Sequence, residues 1–250
     1  MAIWRYDGSF TGFLTLCAAL LSQGEEPEEI ISAEPLQNDL FRTIISVASD
    51  ENRGEKMLAA IASRISPDSC RLLWQAFLSE APGVELLLWR YLSFGRTTGV
   101  KCDRFLAHPA VGPVHRLANS VGQEAHRLMG IIRFQETAGG QWYALVEPAY
   151  QVLELIAPHF AARCSDMNWL VHDRRRSLAV AWNKQEWRLT RFDAQGVPPL
   201  SADEKAWSTI WRGYFAAIAI PERANLRLQQ QHLPHRFRKY LTELEKPPRR

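Results

Sequence analysis

Between Asn168 and Phe192, apolar and polar positions alternate with the period of a β-strand. Trp169, Val171 and Asp173 fall on one side of a first run, Leu170 and His172 on the other. In a second run Leu178, Val180 and Trp182 alternate with Ala179, Ala181 and Asn183; in a third, Trp187 and Leu189 share a face. Arg174 to Arg176 and Asn183 to Gln185 stand between the runs, where turns belong. The pattern predicts three short antiparallel strands with one apolar face. An unpaired buried charge costs several kcal/mol, so the three arginines are expected at a solvated, cationic sheet edge.

The preceding chain has mostly the helical period. Ile3 to Tyr6 reads as a short strand, and Asp7-Gly8-Ser9 as a turn that offers a helix cap. Phe13, Leu16, Cys17 and Leu20 recur at helical spacing, and GEEPEE at 24–29 ends that helix as an acidic loop. Ile44 and Val47, then Leu58, Ile61 and Ile65, suggest two further helices. Ser66-Pro67 is a start signal for a helix with Cys70, Leu73, Trp74 and Phe77 on one face. Val84, Leu87, Leu88 and Tyr91 give another, stopped by Gly95. From Pro113 to Met129, Val114, Leu117, Val121, Ala125 and Leu128 form an apolar stripe beside a polar one of His115, Asn119, Gln123 and His126. Ile131–Phe134 and Trp142–Val146 suggest a hairpin about Ala138-Gly139-Gly140, and Val152 to Phe160 a helix that Pro158 bends or ends early. Ser201 to Glu204 is a capping box opening a helix whose Trp207, Ile210, Trp211, Tyr214, Phe215 and Ile218 are expected in the core, not on a base-stacking surface.

These elements predict an α+β fold: a helical N-terminal part packed on a central antiparallel sheet, with C-terminal helices. Arg96 to Gly99 is the expected seam between a helical region, 1–95, and a basic α+β region, 96–250, the two forming separate parts or one continuous domain. Charge divides in the same way. Residues 1–100 hold 8 Lys+Arg and 13 Asp+Glu, whereas residues 101–250 hold 22 and 14. The basic part favours an anionic partner, nucleic acid first and a membrane surface or acidic protein after it. No apolar run has bilayer-spanning length, and the N-terminus lacks a basic segment followed by an apolar one, so a cytoplasmic protein is expected. Cys17, Cys70, Cys102 and Cys164 are scattered, which suits reduced thiols better than a disulfide or zinc framework.

The catalytic signatures sought are missing from the sequence. There is no GxxxxGK[ST] loop, no GxGxxG after a strand, no HExxH, no zinc-deaminase motif, and no CxxxCxxC for an iron–sulfur cluster. No metal and no cofactor are expected, a site assembled from His126 and His172 being the exception the fold could create. His126, His172 and Asp173 are weak candidates for acid–base chemistry. The stronger pattern is cationic. Arg174, Arg175 and Arg176 at the sheet edge, and Arg223, Asn225, Arg227, Gln230, His232 and Arg236 near the C-terminus, have the side chains that suit phosphates and base edges. With Arg133, they are expected to converge on one positive surface that binds nucleic acid.

WRYDGSFTGFL (4–14), EAHRLMGIIRF (124–134), PHFAARC (158–164), WLVHDRRRSLAV (169–180) and FAAIAIPERANLRLQQQHLPHRFRKYL (215–241) together resemble DUF4130, a family of uncharacterised bacterial proteins associated with DNA metabolism or repair. Where relatives close on Met-Pro-x-Arg-Tyr-Trp, this chain has Leu233-Pro234-His235-Arg236-Phe237-Arg238. The resemblance implies genes encoded beside a radical S-adenosylmethionine (SAM) protein of DNA-repair type, and sometimes fusion to a uracil-DNA-glycosylase-like domain. It favours an accessory protein that binds DNA and works with the radical SAM partner. Two alternatives stand beside it: an enzyme acting on a damaged or modified base through His126, His172 and Asp173, and a scaffold that binds only the partner protein.

Overall fold

The structure is a computed structural model and describes residues 2–32, 43–193, 196–223, 225, 227–229 and 233–244. The chain forms two compact units, residues 1–122 and 123–250. No helix among the described residues is long and apolar enough to cross a membrane.

The first unit is built on a small parallel sheet. Strands β1 (Ile3–Arg5), β2 (Glu29–Ile31) and β3 (Ile44–Ser46) lie in the order β2-β1-β3. The helix expected near Ile44 is therefore a strand: Ile44 pairs with Ile3, and three residues are too few to display a period. Helix α1 (Phe10–Gln23) carries the chain from β1 to its parallel neighbour β2, as a parallel connection requires. Its start is fixed by the residues expected to fix it. Ser9 Oγ accepts from Gly12 N at 2.9 Å, and Asp7 Oδ1 accepts from Ser9 N at 3.0 Å. Gly12 cannot be larger without displacement, since a Cβ there would lie 2.0 Å from Asp7 Oδ1. Helices α2 (Glu51–Arg64), α3 (Pro67–Phe77) and α4 (Val84–Thr98) follow, capped by Asp50 and Ser66 in the first two cases. Trp4, Phe13, Leu16, Leu20, Leu73, Leu88 and Tyr91 make the core. Gly95 does not stop α4; it lies inside the helix, where a Cβ would meet Ile65 Cδ1 at 2.4 Å. Arg96 to Gly99 lies within the first unit, and Gly99, at φ 60°, ends α4 there.

The second unit opens within helix α5 (Gly112–Ile131) and contains a five-stranded sheet. Strands β4 (Gln135–Glu136), β5 (Trp142–Val146), β6 (Trp169–Asp173), β7 (Leu178–Trp182) and β8 (Trp187–Arg191) pair in sequence order. The three strands read from 168–192 appear with those turns and antiparallel pairing. The whole sheet is mixed, not antiparallel, because helix α6 (Leu153–Arg163) links β5 to β6 as a crossover and sets Trp142 beside Trp169 in parallel register. Pro158 sits inside α6 without ending it, and Ile131–Phe134 is the end of α5 and its exit rather than a strand. Phe160 of α6 packs edge-on against Trp169, which stacks on Trp182 at 6.3 Å.

Helix α7 (Ala202–Ile218) departs most from expectation. Ser201 caps it, accepting from Glu204 N at 3.0 Å, and Glu204 Oε2 accepts from Glu136 N instead of closing the capping box on Ser201. The aromatic and aliphatic stripe assigned to the core is exposed, and Ser208 is its one buried residue. Helical spacing identifies an apolar face but not what covers it.

Candidate functional site

The arginine run sits on the β6–β7 turn, and its members have different fates. Arg176 is buried. It donates to Asp173 Oδ2 at 2.8 Å, to Pro148 O at 3.2 Å and to Ala149 O at 2.9 Å. Asp173 Oδ1 accepts from Arg175 N at 3.0 Å, and Ser177 takes the left-handed conformation at φ 50° that turns the chain back. Burial raises the Asp173 carboxyl above its ordinary value, against the pull of the Arg176 guanidinium. Arg175 reaches Ala149 O at 3.2 Å but is exposed, as is Arg174. The expected cationic edge thus has two exposed arginines and a third that pins the turn to the segment after β5.

That segment is held from its other side by Glu124, a fully buried carboxylate of α5. Glu124 accepts from Ala149 N at 3.0 Å, Tyr150 N at 2.8 Å and Arg236 Nη2 at 2.7 Å. Arg176 satisfies the carbonyls of Pro148 and Ala149, while Glu124 satisfies the N–H groups of Ala149 and Tyr150. The backbone between β5 and α6 is therefore framed by a cation and an anion, and Arg176 and Arg236 converge on this peptide segment rather than on an open groove. The C-terminal segment attaches by similar bonds. Lys239 pairs with Glu147, and Glu243 accepts from Arg133 Nη2 at 2.9 Å and from Trp211 Nε1 at 3.2 Å. Burial would push the Glu243 carboxyl up, but its own backbone N–H, Trp211 and Arg133 together hold it below the ordinary range. Arg223, Asn225 and Arg227 are exposed, and Asn225 Oδ1 accepts from Leu228 N at 2.9 Å. Gln230 and His232 lie outside the described residues.

The three candidates for acid–base chemistry have different surroundings. His126 is exposed on α5, whereas His172 is buried with its Nδ1 2.7 Å from the Tyr143 hydroxyl. Burial, and then the charge of Arg174, hold His172 below its ordinary value; burial pushes Tyr143 up to about 12. Asp173 is committed to Arg176. A cavity of about 460 Å³ in the first unit is lined by Trp4, Gln23, Ser46, Asp50 and Arg53, and by neither histidine. Among the described residues, no group of His, Cys, Asp and Glu is arranged to hold a metal ion.

The profile of DUF4130, a domain of unknown function, matches residues 82–243, more than half of the chain. The chain belongs to the DUF4130 family. No curated protein matches it. The matched range contains the whole Glu124–Arg236 and Asp173–Arg176 frame, and leaves WRYDGSFTGFL at 4–14 outside it. It also contains most of a polar cluster that sequence reading missed. Asp103 Oδ1 accepts from the Tyr91 hydroxyl at 2.7 Å and lies 2.9 Å from His115 Nε2; its Oδ2 accepts from the Ser69 hydroxyl at 2.9 Å. Burial opposes the charge of Asp103, yet hydrogen bonds from Tyr91, His115 and Ser69 hold its pKa below the ordinary value. In this DUF4130 chain the cluster ties the start of α3 to α4 and α5. The only sequence signal for it is His115, placed on the polar stripe of α5 beside the apolar one.

Proposed function

We propose that this DUF4130 protein is a nucleic-acid-binding accessory protein of DNA metabolism or repair that works with a radical SAM partner. The observation that supports the reading is the division among arginines of the basic unit, in which residues 123–250 hold 19 Lys+Arg and 13 Asp+Glu. Arg133, Arg176 and Arg236 are neutralised by Glu243, Asp173 and Glu124. Arg174, Arg223 and Arg227 are exposed, and Arg174 is presented by a turn that the Asp173–Arg176 pair holds. Preset cations of this kind suit phosphates, which give affinity without sequence information. The chain has no CxxxCxxC, so a radical SAM cluster would belong to the partner.

The test is binding of a labelled oligonucleotide against salt. Replacing Arg174 and Arg227 together with Ala is expected to lower the log–log salt slope by about two, one unit for each phosphate no longer neutralised. Thermal stability should not change, because neither side chain holds the frame. Absence of binding at low salt, or an unchanged slope and affinity, would return the chain to the scaffold reading. Co-purification with the radical SAM partner, with and without DNA, tests the second half of the proposal.

A further inference from the structure

Phosphate binding does not account for α7. Trp207, Ile210, Trp211, Tyr214, Phe215 and Ile218 are 66%, 59%, 41%, 54%, 39% and 55% exposed, and Ile220 beyond the helix is 50% exposed. Taking ~200 Å² for a whole aromatic side chain, the four aromatics leave about 400 Å² uncovered. The three isoleucines bring the face to the order of 700 Å² per copy, near the ~800 Å² per partner of a standard interface. A patch of that size marks an interaction site.

The spacing says which occupant fits. About the midpoint between Arg212 and Gly213 the stripe has the same spacing in both directions: Trp211 and Tyr214 are equidistant from it, as are Ile210 and Phe215, and Trp207 and Ile218. A twofold axis through that midpoint lays two antiparallel copies of α7 together. It sets Trp207 against Ile218 of the second copy, Ile210 against Phe215 and Trp211 against Tyr214, a self-complementary pairing. Ala206, Gly213 and Ala217 flank one side of the stripe and leave room for a second helix to approach. Base stacking would use the aromatics alone and leave the interleaved isoleucines in water.

We propose that α7 is the interface of a twofold dimer of this chain, formed by antiparallel pairing of the Trp207–Ile218 stripe. Sedimentation velocity over two decades of concentration reads it directly. Wild-type protein is expected to dimerise, and Ile210→Asp, at the centre of the stripe, should weaken the dimer by about 30-fold or more, the loss of a hot spot. Ala216→Asp adds the same charge to the far side of the helix and should leave the dimer unchanged, with equal far-ultraviolet circular dichroism showing both variants folded. Register is tested by the double variant Trp207→Cys with Ile218→Cys. Within one copy these positions are about 17 Å apart along the helix, too far for a disulfide, so oxidation should give a covalent dimer. A wild-type chain that stays monomeric throughout overturns the proposal, and binding of an oligonucleotide that quenches Trp207 would then assign the face to nucleic acid. A dimer that Ile210→Asp does not weaken, or that does not cross-link in this register, overturns it equally.

Discussion

Helices α1 and α7 are alike in sequence and opposite in burial. Each is capped by a serine, Ser9 or Ser201, and each carries an apolar stripe at helical spacing. In α1 the stripe from Phe13 to Leu20 is inside the core of the first unit, with Phe13 also against Tyr6 and Phe77. In α7 the stripe faces solvent, and the helix is held by Ser208, Glu204 and the bond from Trp211 to Glu243. The same amphipathic pattern therefore builds a core in one place and a docking surface in another. The difference lies in the surrounding chain, since α1 has α2 and Phe77 of α3 packed against it.

The sharpest contrast is in truncation. Phe13→Ala should destabilise by about 3–5 kcal/mol in urea unfolding, a transfer loss plus a cavity. Trp207→Ala, measured where the chain is monomeric, should stay within about 0.5 kcal/mol. Similar losses at both positions would mean that α7 is covered after all. Next in size is Glu124→Ala, which leaves the N–H groups of Ala149 and Tyr150, and Arg236, without their acceptor; about 3 kcal/mol is expected. Glu124→Gln keeps one acceptor and should lose less. Removing the caps separates the helices again. Ser9→Ala and Ser201→Ala should each cost about 1 kcal/mol, but amide exchange should report the first as global destabilisation and the second as fraying within α7.

The smallest effect is an acid response at α7. Glu243 has its folded pKa below the ordinary ~4.3, so the stability it contributes is complete above that value and is lost as pH falls through the folded pKa. Trp211 emission should shift in that window. Glu243→Gln should abolish the step, and its persistence in that variant would remove Glu243 as the cause.

Legibility followed distance along the chain. The β6–β8 strands, the caps at Ser9, Ser66 and Ser201, and the extents of α3, α5 and α7 depend on neighbours a few residues away, and all could be read. The parallel sheet of the first unit could not, because β1, β2 and β3 have three residues each and are paired by partners at least 25 positions distant. Arg176 looked like a solvated cation because its acceptors, Pro148 and Ala149, come from another turn. Glu124 and Asp103 were each visible as a single carboxylate, and neither announced the donors gathered on it by elements far away in sequence. At α7 the periodicity was right, and the inference from apolar to buried was not.

The framing of Glu124 bears on the order in which the second unit can fold. Its bonds to Ala149 and Tyr150 close loops of 25 and 26 residues, but its bond to Arg236 spans 112. Arg133 to Glu243 spans 110 and Lys239 to Glu147 spans 92. Closing such loops is entropically slow. During synthesis the sheet and α6 can form with Glu124 already seated on the two amides, while its counter-charge does not yet exist. Arg236 and Lys239, the cations that answer Glu124 and Glu147, are added only near the end of the unit, so their pairing is a late event of its assembly. A nascent chain stopped at residue 230 should hold the β5–β8 sheet in a looser, more protease-sensitive form, with α5 carrying an anion that waits for its arginine.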